Sequence, residues 1–183
     1  MEDKKTITIL VFLQGTLIMH KNAAGLSRGK IIRQVIDQED SVRDFKSYIP
    51  IGNAPQELRK WAEQGAKIRY LSALTENKKG RGDEIVGKEG LRADNVVLDK
   101  YGFPEGIIYH RERNEDYKDV VERMVPLPAI LIEDDCESIG GEQETTYIHL
   151  KPELKTKIKS ITVEEFRGID YLPDDINSLP TTL

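Results

Sequence analysis

The sequence predicts an α/β fold, an open, doubly wound and mostly parallel sheet flanked by helices, and three observations predict it. Residues Thr6 to Leu13 (TITILVFL) form a β-branched, nearly continuous apolar run, the pattern of a strand buried on both faces. Between Asn53 and Leu71 a helix, a glycine and a second apolar strand follow in close order. That is the return half of a βαβ crossover, which requires its strands to be parallel. Strand and helix then alternate four times along the chain, the order of a Rossmann-like sheet. With 183 residues, no internal repeat and no low-complexity linker, the chain reads as a single domain over 1–183.

The elements follow from local chemistry. After the first strand, Gly15 and Thr16 open a small loop and helix insertion, residues 18–52, in which Lys30 to Gln38 carries Ile31, Ile32, Val35 and Ile36 at helical spacing. Asn53 is placed to cap the next helix, Pro55 suits its first turn, Leu58, Trp61 and Ala62 make its apolar stripe, and Gly65 ends it. Ala66 to Leu71 is the second strand. A helical stretch from Leu91 to Tyr101 is stopped by Gly102 and Pro104 and leads to a short strand, Gly106 to Tyr109. A helix from Glu115 to Met124 is broken by Pro126 and Pro128 and leads to Ala129 to Ile132. Tyr147-Ile148-His149 and Ser160 to Val163 are weaker strand candidates. Residues 165–183, with Pro173, Asp174, Asp175 and Pro180, read as a C-terminal surface tail with a helical turn.

Composition narrows the function. A formal net charge of −5 argues against a dedicated nucleic-acid binder, because binding along a phosphate backbone is driven by clustered Lys and Arg. No apolar run approaches the ~20 residues that cross a bilayer, so no membrane role is expected and the chain reads as cytoplasmic. The lone Cys136 excludes an internal disulfide framework and a multi-thiolate zinc site, and its acidic neighbours disfavour a thiolate.

In a doubly wound sheet, ligands sit beyond the carboxyl ends of the strands. Residues just after each strand should therefore converge: Gln14 to Thr16, Ser72 to Thr75, His110 to Arg113, and Glu133 to Asp135. Gly15-Thr16 permits a tight turn whose backbone N–H groups can face an anion, though a plain turn reads as well. Ser72 offers a hydroxyl to a phosphate oxygen or to the following backbone. Lys118 stands near a helix start, where the macrodipole disfavours a cation; the plain alternative is a surface lysine paired with Glu115 or Glu122. Glu133, Asp134 and Asp135 repel one another unless a divalent cation or a basic side chain sits between them, or Asp135 caps a following helix. His110 with Arg111 and Arg113 makes a basic cluster and His20 sits in a loop with no partner visible in sequence, a solvated or satisfied histidine being the plain reading of both, while His149 shows no role beyond strand termination.

Taken together these residues resemble the haloacid dehalogenase-like superfamily, mostly magnesium-dependent phosphatases and related phosphotransferases, over about residues 6 to 140. Phe12-Leu13-Gln14-Gly15-Thr16-Leu17 falls on that family's first motif, Asp-x-Asp-Gly-Thr-Leu. Ser72 falls on the second motif, Lys118 on the third and Asp134-Asp135 on the acidic fourth. The resemblance implies a HAD-like fold with no large cap domain, since 18–52 has room only for loops and short helices. In the family the first Asp attacks phosphorus and the second exchanges the proton. Phe12 is no nucleophile and Gln14 does not exchange a proton near neutral pH, so no catalytic residue is assigned here.

The expectation is a HAD-like protein without aspartyl-phosphate catalysis. It would bind a small phosphorylated ligand, an anion or a protein partner through Gln14, Gly15, Thr16, Ser72 and Lys118, with Mg2+ at most weakly held by Asp134 and Asp135. An open mouth also suits closure by a second copy of the chain. One alternative is a phosphoric monoester hydrolase in which Glu133, Asp134 or Asp135 activates a metal-bound water with help from His110 or Lys118. Another is a scaffold acting through oligomer contacts.

Overall fold

The computed structural model describes residues 6–76, 84–112 and 114–180. Its central sheet has five strands: β1 (Thr8–Phe12), β2 (Lys67–Leu71), β3 (Ile108–Tyr109), β4 (Ile130–Asp134) and β5 (Lys159–Val163). They lie in the order β3-β2-β1-β4-β5, and every neighbouring pair is parallel. The doubly wound parallel sheet read from the sequence is thus the architecture observed. Chain order reverses between β1 and β4, so the loops leaving them part there and open a crevice at the carboxyl edge.

The pleat explains why β1 is apolar throughout. Ile9 and Val11 join Ile68, Tyr70, Ile130 and Ile132 in one core, beneath helices α2 (Ala54–Glu63) and α3 (Ala93–Tyr101). Leu10 points the other way and joins Leu71, Leu131 and the Val120-Val121 pair of α4 (Tyr117–Arg123). Each such side chain contributes roughly 1.5–3 kcal/mol by burial, and a polar residue at any of these positions would lose it.

Local signals set most helix ends. Gly65 leaves α2 at φ 96° and Gly102 leaves α3 at φ 68°, a left-handed conformation that a side chain would strain. Asp116 and Asp119 form a reciprocal capping box at the start of α4. Asn53 differs from expectation, because its side chain makes no cap bond. Its backbone N–H and its amide instead donate to Asp170 from the C-terminal region.

Two further readings are corrected. Tyr147–His149 is a turn of 3-10 helix, not a strand. The backbone N–H groups of Thr146 and Tyr147 both donate to the Glu133 carboxylate, which satisfies them without a neighbouring strand. The C-terminal segment is no surface tail either: Ile169, Leu172, Ile176 and Leu179 are buried in the first core. Trp61 Nε1 donates to Pro173 O at 3.0 Å and Lys60 Nζ sits 2.8 Å from Asp174, so this segment clamps α2 from outside. The expected helical turn is present at Ile176–Ser178, and residues 181–183 lie outside the described residues.

Residues 18–52 leave and rejoin the domain through a short antiparallel pair, Ile18–Met19 against Ile49–Pro50. Between these arms lie helix α1 (Arg28–Ile36) and several single turns, which roof the carboxyl edge of the sheet. Among the described residues no helix is long and apolar enough to cross a membrane.

Candidate functional site

β1 delivers Phe12 and Gln14 to the crevice, and both are fixed by protein contacts. The Phe12 ring meets Tyr117 edge-on, with centroids 4.9 Å apart, so the end of β1 is an aromatic surface. Gln14 Oε1 accepts from the Ala73 backbone N–H at 2.8 Å, and its Nε2 donates to Asp94 Oδ1 at 2.8 Å. Ser72 Oγ donates to Asp94 Oδ2 at 2.5 Å and accepts from Leu74 N–H at 3.0 Å. Asp94 on α3 is only 1% exposed. Burial pushes its carboxyl up to about 7, against the opposing pull of the bonds from Ser72 and Gln14.

The turn after β1 uses its own donors. The backbone N–H of Gly15 donates to Ile18 O, those of Thr16 and Leu17 donate to Leu13 O, and Thr16 Oγ1 donates to Asp134 Oδ2 at 2.8 Å. Gly15 stands at φ 84°, and a Cβ there would come within 3.0 Å of Asp134 Oδ2 and 3.1 Å of Glu165 Cγ. Only glycine lets this turn press against those acids.

The acids of β4 diverge because successive side chains of a strand face opposite ways. Glu133 turns toward Thr146 and Tyr147, as described above. Asp134 turns toward Thr16 and accepts from Cys136 N–H at 2.9 Å. Asp135 leaves the strand to meet Arg28 of α1, whose Nη2 lies 3.1 Å from both carboxylate oxygens while its Nε donates to Glu165 O at 2.9 Å. Of the expected ways to relieve three adjacent acids, the basic side chain is therefore realised at Asp135. Asp135 caps no helix, but accepts from the Glu165 backbone N–H.

Asp134, Asp135 and Glu165 bring one oxygen each within 4.8 Å of one another. Burial first, then the neighbouring carboxylates, raises the proton affinity of Asp134 and Glu165 above the usual carboxylate range. Burial and the same acids push the Cys136 thiol far up, which makes it inert as a nucleophile.

These groups border a cavity of about 340 Å³ beneath the insertion. Gln14, Gly15, Lys118 and Asp134 line it, whereas Thr16 and Ser72 stand behind its wall and Asp135 faces Arg28. Lys118 has none of the partners that a surface lysine would use. Glu115 is held by Arg123 at 2.5 Å and Glu122 by Lys151 at 3.1 Å, and among the described residues the Lys118 ammonium makes no ion pair or hydrogen bond. Two residues of the cavity wall, Cys136 at φ 53° and Phe166 at φ 66°, hold the left-handed conformation that costs non-glycine residues about 1 kcal/mol or more.

The predicted basic cluster is divided. Arg111 is buried in the cavity wall, its guanidinium 4.0 Å from the Tyr117 ring centre, while His110 turns away to Leu74 O. Arg113 lies outside the described residues. Sequence reasoning missed Asp94, Arg28 and Glu165. Glu165 had a signal, since it follows the Ser160 to Val163 strand candidate at the same edge of the sheet as the other sites. Asp94 had none, because a first-turn acid of an amphipathic helix looks like a surface charge. No protein-family model and no curated protein matches the chain.

Proposed function

We propose that this chain is a ligand-binding domain of the haloacid dehalogenase-like type that has lost aspartyl-phosphate chemistry and holds a small phosphorylated or otherwise anionic ligand at the carboxyl ends of its strands. The observation that carries the reading is Lys118: it lines a 340 Å³ cavity, and its ammonium, with no ion pair or hydrogen bond among the described residues, supplies charge to an anion at no cost in ion pairs broken there. The aromatic end of β1 supports the loss of turnover. A phosphate brought to Lys118 finds the Phe12 ring where the family carries its nucleophile, and the Gln14 amide has no proton to exchange. The raised proton affinities of Asp134 and Glu165 reduce the negative charge that an anion would meet.

Backbone N–H groups of the Gly15 turn are consumed internally, so the ligand's anionic group depends on side chains. The expected result is that inorganic phosphate or members of a phosphomonoester panel raise the unfolding midpoint of the protein. Lys118→Gln should weaken that binding about tenfold or more, the size of one lost charged hydrogen bond. Equal midpoint shifts in the wild type and in Lys118→Gln would remove the basis of the reading.

Metal-dependent hydrolysis at Asp134, Asp135 and Glu165 ranks second. The oxygens are close enough to share a divalent cation, but that cation would have to displace Arg28 from Asp135.

A further inference from the structure

His20 is 1% exposed, yet its ring lines the same cavity from the insertion. Its Nε2 lies 2.8 Å from Gln34 Oε1 on α1, an acceptor that keeps the ring proton on Nε2 and leaves Nδ1 with a lone pair. Among the described residues Nδ1 has no hydrogen-bond partner, and it is not sealed inside the protein. Tyr48 and Phe166 approach the imidazole edge-on, each at 6.4 Å, and hold its plane. An oriented acceptor among aromatic rings costs desolvation unless something donates to it. The free side of His20 therefore carries information about what the cavity accepts.

The apolar part of the lining agrees on shape, beside the carboxylates of Asp116, Glu133, Asp134, Glu144 and Glu165. Phe12 and Tyr117 form a second aromatic surface, and Val35, Val42 and Ile139 also line the cavity. Rings and branched aliphatic groups favour a flat apolar body, with few but fixed polar contacts. The volume lies within the roughly 300–1,000 Å³ of small-molecule sites. Building on the anionic-ligand reading, we propose that His20 is a specificity-determining residue whose Nδ1 accepts a hydrogen bond from an N–H or O–H group on a planar ring. The ligand is then a ring-bearing phosphate ester of the nucleoside monophosphate type. The ring lies among the aromatic side chains, and the phosphate is taken by Lys118.

The test is calorimetric titration of the full chain with the 5′-monophosphates of adenosine, cytidine, guanosine and uridine, with ribose 5-phosphate, and with inorganic phosphate. At least one nucleotide is expected to bind about tenfold or more tighter than ribose 5-phosphate. His20→Phe should erase that advantage while leaving phosphate binding intact. His20→Asn, whose Oδ1 can stand where Nδ1 stood, should keep most of it and guards against a simple packing defect. Ribose 5-phosphate binding as well as all four nucleotides, or an advantage that survives in His20→Phe, would overturn the assignment while leaving the role of Lys118 standing. Failure of every phosphate compound to bind, or indifference to Lys118→Gln, would overturn both readings.

Discussion

Gln14→Glu is expected to destabilise the protein by about 3–5 kcal/mol at pH 8, a cost that shrinks to about 1 kcal/mol at pH 5. The substitution changes one atom of the side chain and keeps the acceptor that receives the Ala73 N–H. It replaces the donor, however, with a second carboxylate oxygen 2.8 Å from Asp94 Oδ1, at a site where Asp94 is 1% exposed. Two buried carboxylates at that distance cannot both be ionised, and Ser72 already spends its hydroxyl proton on the other Asp94 oxygen. Below pH 6 the pair can share a proton and regain a hydrogen bond. Adding Asp94→Asn to Gln14→Glu should restore about 2 kcal/mol or more at pH 8, measured as a coupling energy in a double-mutant cycle by denaturant unfolding. Additive effects would show that Gln14 and Asp94 do not act as one unit. The pairing also explains why restoring an acid at this position would not restore a general acid: its proton equilibrium would be tied to Asp94.

Stability is expected to fall by about 2–3 kcal/mol between pH 5 and pH 8, contrary to the usual behaviour of paired surface carboxylates. Burial raises Asp94 to about 7, and Asp134, Glu133 and Glu165 shift in the same direction. Above pH 4 the unfolded chain releases these protons while the folded chain keeps them, so the folded state binds more protons and its stability declines as pH rises. The decline ends once pH passes the folded value near 7. His110, whose burial shifts it downward, opposes the trend within this window, whereas Glu115 and Asp175, also shifted downward, titrate at lower pH and add no slope here. Asp94→Asn should flatten the profile, because its Nδ2 can donate to Ser72 Oγ while its Oδ1 still accepts from Gln14. Unfolding free energies that rise from pH 5 to pH 8 in the wild type would contradict the burial of ionisable acids as described.

Periodicity made the sheet legible. The continuous apolar run of β1 follows from cores on both faces, and Gly65 and Gly102 ended their helices where backbone strain required glycine. The site was legible only in part. Strand-end logic pointed to Gln14, Gly15 and Asp134, and the unfavourable place of a lysine at a helix start pointed to Lys118; all four line the cavity. The partners that fix these and the neighbouring site residues come from 80 to 118 positions away, as in Gln14 with Asp94, Arg28 with Asp135 and Thr16 with Asp134, and such pairings leave no local pattern. The same limit explains the C-terminal segment. Ile169, Leu172, Ile176 and Leu179 are spaced irregularly among prolines and acids, so their burial against α2 has no periodic signature.

The central claim, that the cavity binds an anionic ester without turning it over, is tested most directly by rapid-mixing phosphate release. The protein is mixed at near-stoichiometric concentration with those phosphomonoesters that raise its unfolding midpoint. With Phe12 at the end of β1 and Gln14 tied to Asp94, no burst is expected, and release should follow the uncatalysed rate. A burst approaching one phosphate per chain, abolished by Asp134→Ala, would contradict the account.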